Sequence, residues 1–441
     1  MSRWVCFATM SIHLPGDVGA ARSDGRRRSL VAACVGNVVE WYDFALFAAS
    51  ATVFTAVLTP GDWAGFTTVF AVLAMSCFFR PLGSLVLGAR ADRLGRRSTL
   101  AATILLMAGS TAAIGLLPPW AVIGAAAPVL LLGCRALQAF SAGGEIGVSV
   151  AYLTEISPAA RRGVVGGWYL STVAIGFAAG LGATASMAVL LAPADLLAWG
   201  WRIPFLAAIP LGVVGLYLRR RQLHAVVPAP DVAARVKPTV VLAEHFATVR
   251  RCFLIAAAYS AVFNTWFIFV PSYATATGAS TLAGALGCSL AGLLAAAVTA
   301  PLCGRLSDRV GRRPVLMGAT GTLVVVLVPL YLWMLHGSTV ALLVGAVVVG
   351  GVIGAFVLPA FLAEQFPGPV RATGLGLAYG LGSAVVGGTA PLLATILTQR
   401  LPVVVVPVYL ACWAVVALVA VIRSPETRTV SAGAALEPAA I

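Results

Sequence analysis

Charge is scarce in this sequence. Asp, Glu, Lys and Arg make up 10% of the 441 residues, against about 25% in soluble proteins, so the chain cannot cover a water-facing surface of ordinary size. Lysine is nearly missing, with Lys237 the single one among 29 basic residues. The eight cysteines (Cys6, Cys34, Cys77, Cys134, Cys252, Cys288, Cys303, Cys412) lie singly, without metal-ligand or redox spacing, and read as small buried apolar groups. No phosphate loop, metal cluster or nucleophile–base pair occurs, which makes an enzyme the poorest reading and implies no cofactor or metal. Residues 1–29 hold several arginines but no leading apolar core, so a basic tail is expected rather than a cleaved signal peptide.

Apolar residues fill what is left. They account for 60% of the chain, mean hydropathy is +0.98, and runs long enough to cross a bilayer recur throughout. Twelve spans are expected, at 30–58, 65–89, 98–117, 121–153, 163–191 and 200–218, then 252–273, 281–303, 314–335, 339–362, 372–397 and 402–422. The net charge of +14 would suggest a nucleic-acid partner in a soluble protein, but its placement argues otherwise. With both termini in the cytoplasm, 25 of the 29 basic residues fall in the tails or in cytoplasmic loops, as the positive-inside rule requires. The partner is therefore a lipid bilayer, and no nucleic acid is expected.

A repeat divides the chain. Residues 88–97 read GARADRLGRR and residues 304–313 read GRLSDRVGRR, both following the second span of their half. In each half a glutamate then precedes an arginine by seven residues, Glu155 before Arg162 and Glu364 before Arg371. Two copies facing the same way need an even number of spans each. The expected organisation is a basic tail 1–29, a six-helix bundle 30–218, a cytoplasmic linker 219–251, a second six-helix bundle 252–422 and a tail 423–441. Gly88 permits close backbone approach, and the loop aspartates Asp92 and Asp308 suit a helix N-terminus. With Arg96, Glu155 and Arg162 on one side and Arg312, Glu364 and Arg371 on the other, they form two candidate gate clusters that bias an alternating-access equilibrium.

These motifs carry a resemblance. The loop G-x-x-x-D-R-x-G-R-R resembles the signature of the major facilitator superfamily. GNVVEWYDFALF at 36–47, FFRPLG at 78–83, RALQAFSAGGEIG at 135–147 and GWRIP at 200–204 resemble its metabolite:proton symporter family, with Ala139 replacing a customary glycine. The resemblance implies an all-α membrane protein of twelve spans in the plasma (inner) membrane. It also implies proton-coupled uptake of a solute of the proline/betaine, shikimate, 2-oxoglutarate or citrate kind.

Ionisable residues inside spans are costly and mark pathways. Glu40 and Asp43 on the first helix, Arg80 on the second, and Arg135 and Glu145 on the fourth stand out. Glu40 and Arg80 lie at similar heights, roughly 15 Å from the cytoplasmic ends of their helices at about 1.5 Å per residue, and can pair. Asp43 is the expected proton site, with Glu40 second. Burial favours its neutral form and a movable Arg135 favours its ionised form, and sugar porters look similar in this respect. Glu145, beside two glycines, is read as structural. Arg80, Arg135, Tyr42, Gln138, Tyr169, Asn264, Trp266 and Tyr379 are the candidate substrate contacts. Arginine suits a carboxylate, and a zwitterion is admissible if an aromatic box holds its cation. The expected function is proton symport of a small organic acid or zwitterion by a monomer. An exporter sharing the fold, or a transport-inactive membrane sensor, are the alternatives.

Overall fold

The computed structural model describes residues 37–83, 86–87, 96–143, 145–213, 238–334 and 338–428, and among them helices are the one regular element. The basic tail, Gly88, Asp92 and most of the linker lie outside the described residues, as do the side chains of Arg96 and Glu145.

Twelve helical passes follow in order. They are α1 (Asn37–Ala49 continued by Ala51–Leu58), α2 (Trp63–Gly83), α3 (Arg96–Gly115), α4 (Ala126–Ala142 continued by Glu145–Ile156), α5 (Ala159–Leu190) and α6 (Pro193–Val213). The second six are α7 (Val241–Ala276), α8 (Leu282–Val310), α9 (Arg312–Met334), α10 (Thr339–Glu364), α11 (Gly368–Arg400) and α12 (Val405–Ile422). Among the described residues, nine are long and apolar enough to span on their own, and α1 makes a tenth despite a 55° bend at Ser50. The apolar stretches of α3 and α4, Ala102–Gly115 and Ala126–Ala142, are shorter. The order matches the expected spans, and the largest difference is at α7. Helix continues back to Pro238, through a kink at His245, into what reads as linker, because VVLAEHFATV is apolar enough to pack, and Val241 is fully buried.

Small residues set the crossing of α5 and α8. Gly167 of α5 lies against the Ala300 carbonyl and Pro301 of α8, so that any Cβ there would collide with backbone, and Gly304 meets the Gly163 carbonyl in the same way. Close helix approach through small residues is how membrane helices gain dispersion contact without a hydrophobic driving force. This seam joins the first six helices to the second six at the end carrying the repeated motif. At the far end, Trp63 packs on Tyr273 at 6.3 Å between ring centroids and Phe70 on Phe269 at 6.3 Å. Gln399 there donates to Thr67 Oγ1 at 3.0 Å. Among the described residues, contacts therefore join the two sets of six helices at both ends.

Three π-helical turns interrupt the α-helices: Leu196–Gly200 in α6, Thr265–Phe269 in α7 and Gly382–Gly387 in α11. The turn in α11 packs on α7 just before the turn there, and Asn264 Nδ2 donates to the Gly387 carbonyl at 2.8 Å. Each π turn adds a residue to the turn and rotates the face that follows, which decides what points inward.

Candidate functional site

The central cavity is lined by Trp41, Phe44, Arg80, Tyr259, Ser260, Phe263, Asn264, Tyr379 and Ser383. Its aromatic walls support one another. Trp41 meets Phe44 at 5.6 Å and Phe263 at 6.2 Å, while Tyr259 stacks on Phe263 at 6.1 Å. Arg80 holds one side. Its Nη1 donates to Ser383 Oγ across the two halves at 3.4 Å, and its guanidinium lies over the Phe44 ring at 5.4 Å. Arg80 and Glu40 both lie within electrostatic reach of the Tyr379 hydroxyl. A second, mostly apolar cavity lies toward the motif end, lined by Val150, Tyr169, Leu362 and Leu375 among others. It shares Trp41, Tyr259 and Tyr379 with the first. Each cavity holds about 20 Å³, room for a water molecule, so a solute enters only when the halves part.

Beside the cavity, a buried polar chain surrounds Asp43. The aspartate is 3% exposed, its Oδ1 has no hydrogen-bond partner, and it lies against Thr111 with Arg135 within electrostatic reach. Among the described residues, no ion pair within 4.0 Å joins it to Arg135. Instead Arg135 Nη1 donates to Gln138 Oε1 at 2.8 Å. The guanidinium rests over Phe47 at 4.5 Å and Phe44 at 5.2 Å, both cation–π distances. Gln138 Nε2 in turn donates to Thr111 Oγ1 at 2.6 Å.

The expected substrate contacts therefore separate. Arg80, Asn264 and Tyr379 line the central cavity and Tyr169 lines the second. Arg135 and Gln138 bind each other instead, and Tyr42 donates to the Pro204 carbonyl at 3.1 Å. Trp266 packs on Tyr331 at 6.2 Å, inside the second six helices. These four stand outside both cavity linings in this arrangement. Thr111, Phe44, Ser260, Phe263 and Ser383 were not singled out by sequence. Of these, Thr111 alone carried a signal, as part of a polar Ser110–Thr111 step in an apolar helix.

At the motif end the second copy of the charge set is buried and bridges the halves. Asp308 accepts from the Gly163 and Val164 amides at 2.9 Å each, capping the start of α5 as an anion should. Arg312 bonds Asp308 at 2.6 Å and Glu364 at 3.2 Å, and Arg162 approaches Glu364 at 3.8 Å. Arg371 reaches Glu155 at 3.7 Å, but that glutamate side chain is 48% exposed. The segment after α12, which sequence reads as a tail, closes the cluster. Glu426 accepts from the Arg312 and Arg313 amides at 2.8 and 2.9 Å, and Thr427 Oγ1 donates to Glu364 Oε2 at 2.7 Å.

Burial ranks these pairs. Losing one partner of a buried pair costs about 3–5 kcal/mol, an exposed pair about 0–1. Glu364→Gln is thus expected to raise cysteine labelling at the motif end at least tenfold, and Glu155→Gln to change it less than twofold. Equal effects would remove the latch role from Glu364.

The comparisons with known proteins agree with this geometry. The "Sugar (and other) transporter" family matches residues 29–220 and the "Major Facilitator Superfamily" family matches residues 288–441. The ectoine/proline transporter ProP of Corynebacterium glutamicum is 33% identical over 93% of this chain and 86% of its own length. The chain belongs to the major facilitator superfamily, in its metabolite:proton symporter family. The proline/betaine transporter of Escherichia coli K12 is 31% identical over 92% of this chain and 84% of its own. Among solved structures, the proton:xylose symporter XylE bound to 6-bromo-6-deoxy-D-glucose superposes with a TM-score of 0.71 at 16% identity, over 92% of this chain and 97% of that one. An inward-open form of XylE from Escherichia coli gives 0.66 over 91% and 96%. At such identity the likeness establishes the fold alone. The protein is a multi-pass membrane transporter of that superfamily, not an enzyme.

Proposed function

We propose that this transporter carries a small zwitterion of the proline/betaine class inward together with protons, Arg80 taking the carboxylate and the rings of Trp41, Phe44, Tyr259, Phe263 and Tyr379 taking the cation. The observation that carries this reading is the pairing of one arginine with aromatic walls in the central cavity. A dicarboxylate needs a second cation, and Arg135 is spent on Gln138 outside that lining. A quaternary or secondary ammonium needs faces of aromatic rings, which attract cations through their quadrupole. The names of the relatives, ectoine/proline and proline/betaine transporters, support the same class.

Asp43 is the proton site, buried next to but not paired with Arg135, with Glu40 beside Tyr379 as the second acid. Residues 30–218 and 252–422 move as two bundles about the cavity, both termini face the cytoplasm, and the charge cluster at the motif end is the cytoplasmic latch. Gly88, Asp92 and Arg96 belong to the first-half copy of that latch. A monomer contains every group this cycle uses. Proteoliposomes with an imposed inward proton gradient are expected to accumulate labelled glycine betaine or proline, and a protonophore to abolish the accumulation. Uptake that ignores both the gradient and its collapse defeats symport, and accumulation of a dicarboxylate in preference to both zwitterions defeats the substrate class.

A further inference from the structure

We propose that Gln138 is a positioning residue for proton coupling, holding the Arg135 guanidinium away from Asp43 and so setting the pH at which that carboxyl releases its proton. The inference rests on Asp43 being the proton site. Arginine offers only donors, so the Gln138 atom 2.8 Å from Arg135 Nη1 is its carbonyl oxygen. The amide orientation follows, and Nε2 donates to Thr111 Oγ1. Thr111 then has one hydrogen to give, and it goes to the Met107 carbonyl at 2.9 Å. That hydroxyl can keep its hydrogen on Met107 and accept from a protonated Asp43, or turn it toward an ionised one. In either case Gln138 engages Arg135 and Thr111 at once, and the arginine is occupied away from the carboxyl.

The groups are buried together, Thr111 at 0%, Asp43 and Arg135 at 3% and Gln138 at 4% exposure, so water cannot substitute for a lost partner. Other charged or titratable groups face them from neighbouring helices. Tyr42 adjoins Asp43 on α1 with its hydroxyl committed to α6. Arg80 and Cys77 of α2 act on Arg135. Glu40 lies one turn below Asp43, toward Arg80 and Tyr379. Without the Gln138 carbonyl, the buried guanidinium has the Asp43 carboxylate as its best remaining acceptor.

The test is the pH dependence of gradient-driven glycine betaine uptake in proteoliposomes holding the full chain. Gln138→Leu frees Arg135 for Asp43, favours the ionised acid and lowers the pH of half-maximal uptake by about one unit. Gln138→Glu keeps the volume, offers Arg135 a charged partner in place and places a second acid near Asp43. It raises that midpoint by about the same amount. Shifts of opposite sign from one position are not produced by altered packing. Midpoints that stay put, or move the same way, overturn the role of Gln138. If the leucine variant fails to fold, the glutamate variant decides alone, and a midpoint unchanged or lowered overturns the proposal. Asp43→Asn run in parallel separates the two ideas. Persistent gradient-driven uptake there defeats the proton site, while its loss alongside unmoved Gln138 profiles defeats only the positioning role.

Discussion

Asp43→Asn is expected to abolish accumulation while leaving exchange across the membrane intact. An imposed gradient of two pH units is worth about 2.7 kcal/mol, since each unit is about 1.36 kcal/mol. One proton per neutral zwitterion therefore concentrates the solute up to about a hundredfold, and the asparagine variant brings that ratio to about one. Asparagine fits the space of the neutral acid and meets the same neighbours, Thr111 among them, so the bundles can still rock with solute bound. They no longer need a proton to do so. The measurement is the ratio of internal to external labelled betaine at steady state, with counterflow as the control for a folded carrier. A ratio above about ten in the variant would move the coupling acid elsewhere, with Glu40 next in line because it is buried on the same face of α1.

The second large effect belongs to Arg80. Truncating one side of a buried, hydrogen-bonded charge pair costs about 2–5 kcal/mol. Arg80→Ala should accordingly raise the KM for betaine by about a hundredfold, and Arg80→Lys, which keeps the charge but loses the planar fork, by about tenfold. In the structure the guanidinium donates to Ser383 through a 3.4 Å bond and lies over the Phe44 face, and its fork of five N–H groups can also serve a carboxylate. A KM within twofold of the wild type in both variants would mean that the carboxylate binds elsewhere. Because Ser383 lies on α11, substrate that competes for Arg80 also loosens a contact between the halves.

Much of the architecture was legible from residues alone. Hydropathy marks the helices because every peptide group in lipid must be satisfied within its own helix, and nine of the twelve expected spans, with a bent tenth, are long and apolar enough to cross among the described residues. Asp43, Arg80 and Arg135 stood out for the same reason, since a charge within a span is too costly to be incidental. What escaped was which way side chains turn. Tyr259 and Trp266 are seven residues apart on α7, yet one lines the central cavity and the other, about 10 Å further along the helix, packs on Tyr331. Arg135 reads as a substrate contact because arginine suits a carboxylate, whereas in the structure it bonds Gln138. Glu426 and Thr427 looked like part of a solvated tail because a cap on another helix is a tertiary fact with no local pattern.

The three rings shared by the two cavities, Trp41, Tyr259 and Tyr379, form a partition one side chain thick. Trp41 and Tyr259 are buried, so either ring turns only as the helices around it give way. Movement of a solute from one chamber to the other is then tied to the packing of the helices themselves, as with a door whose frame must flex before it can swing.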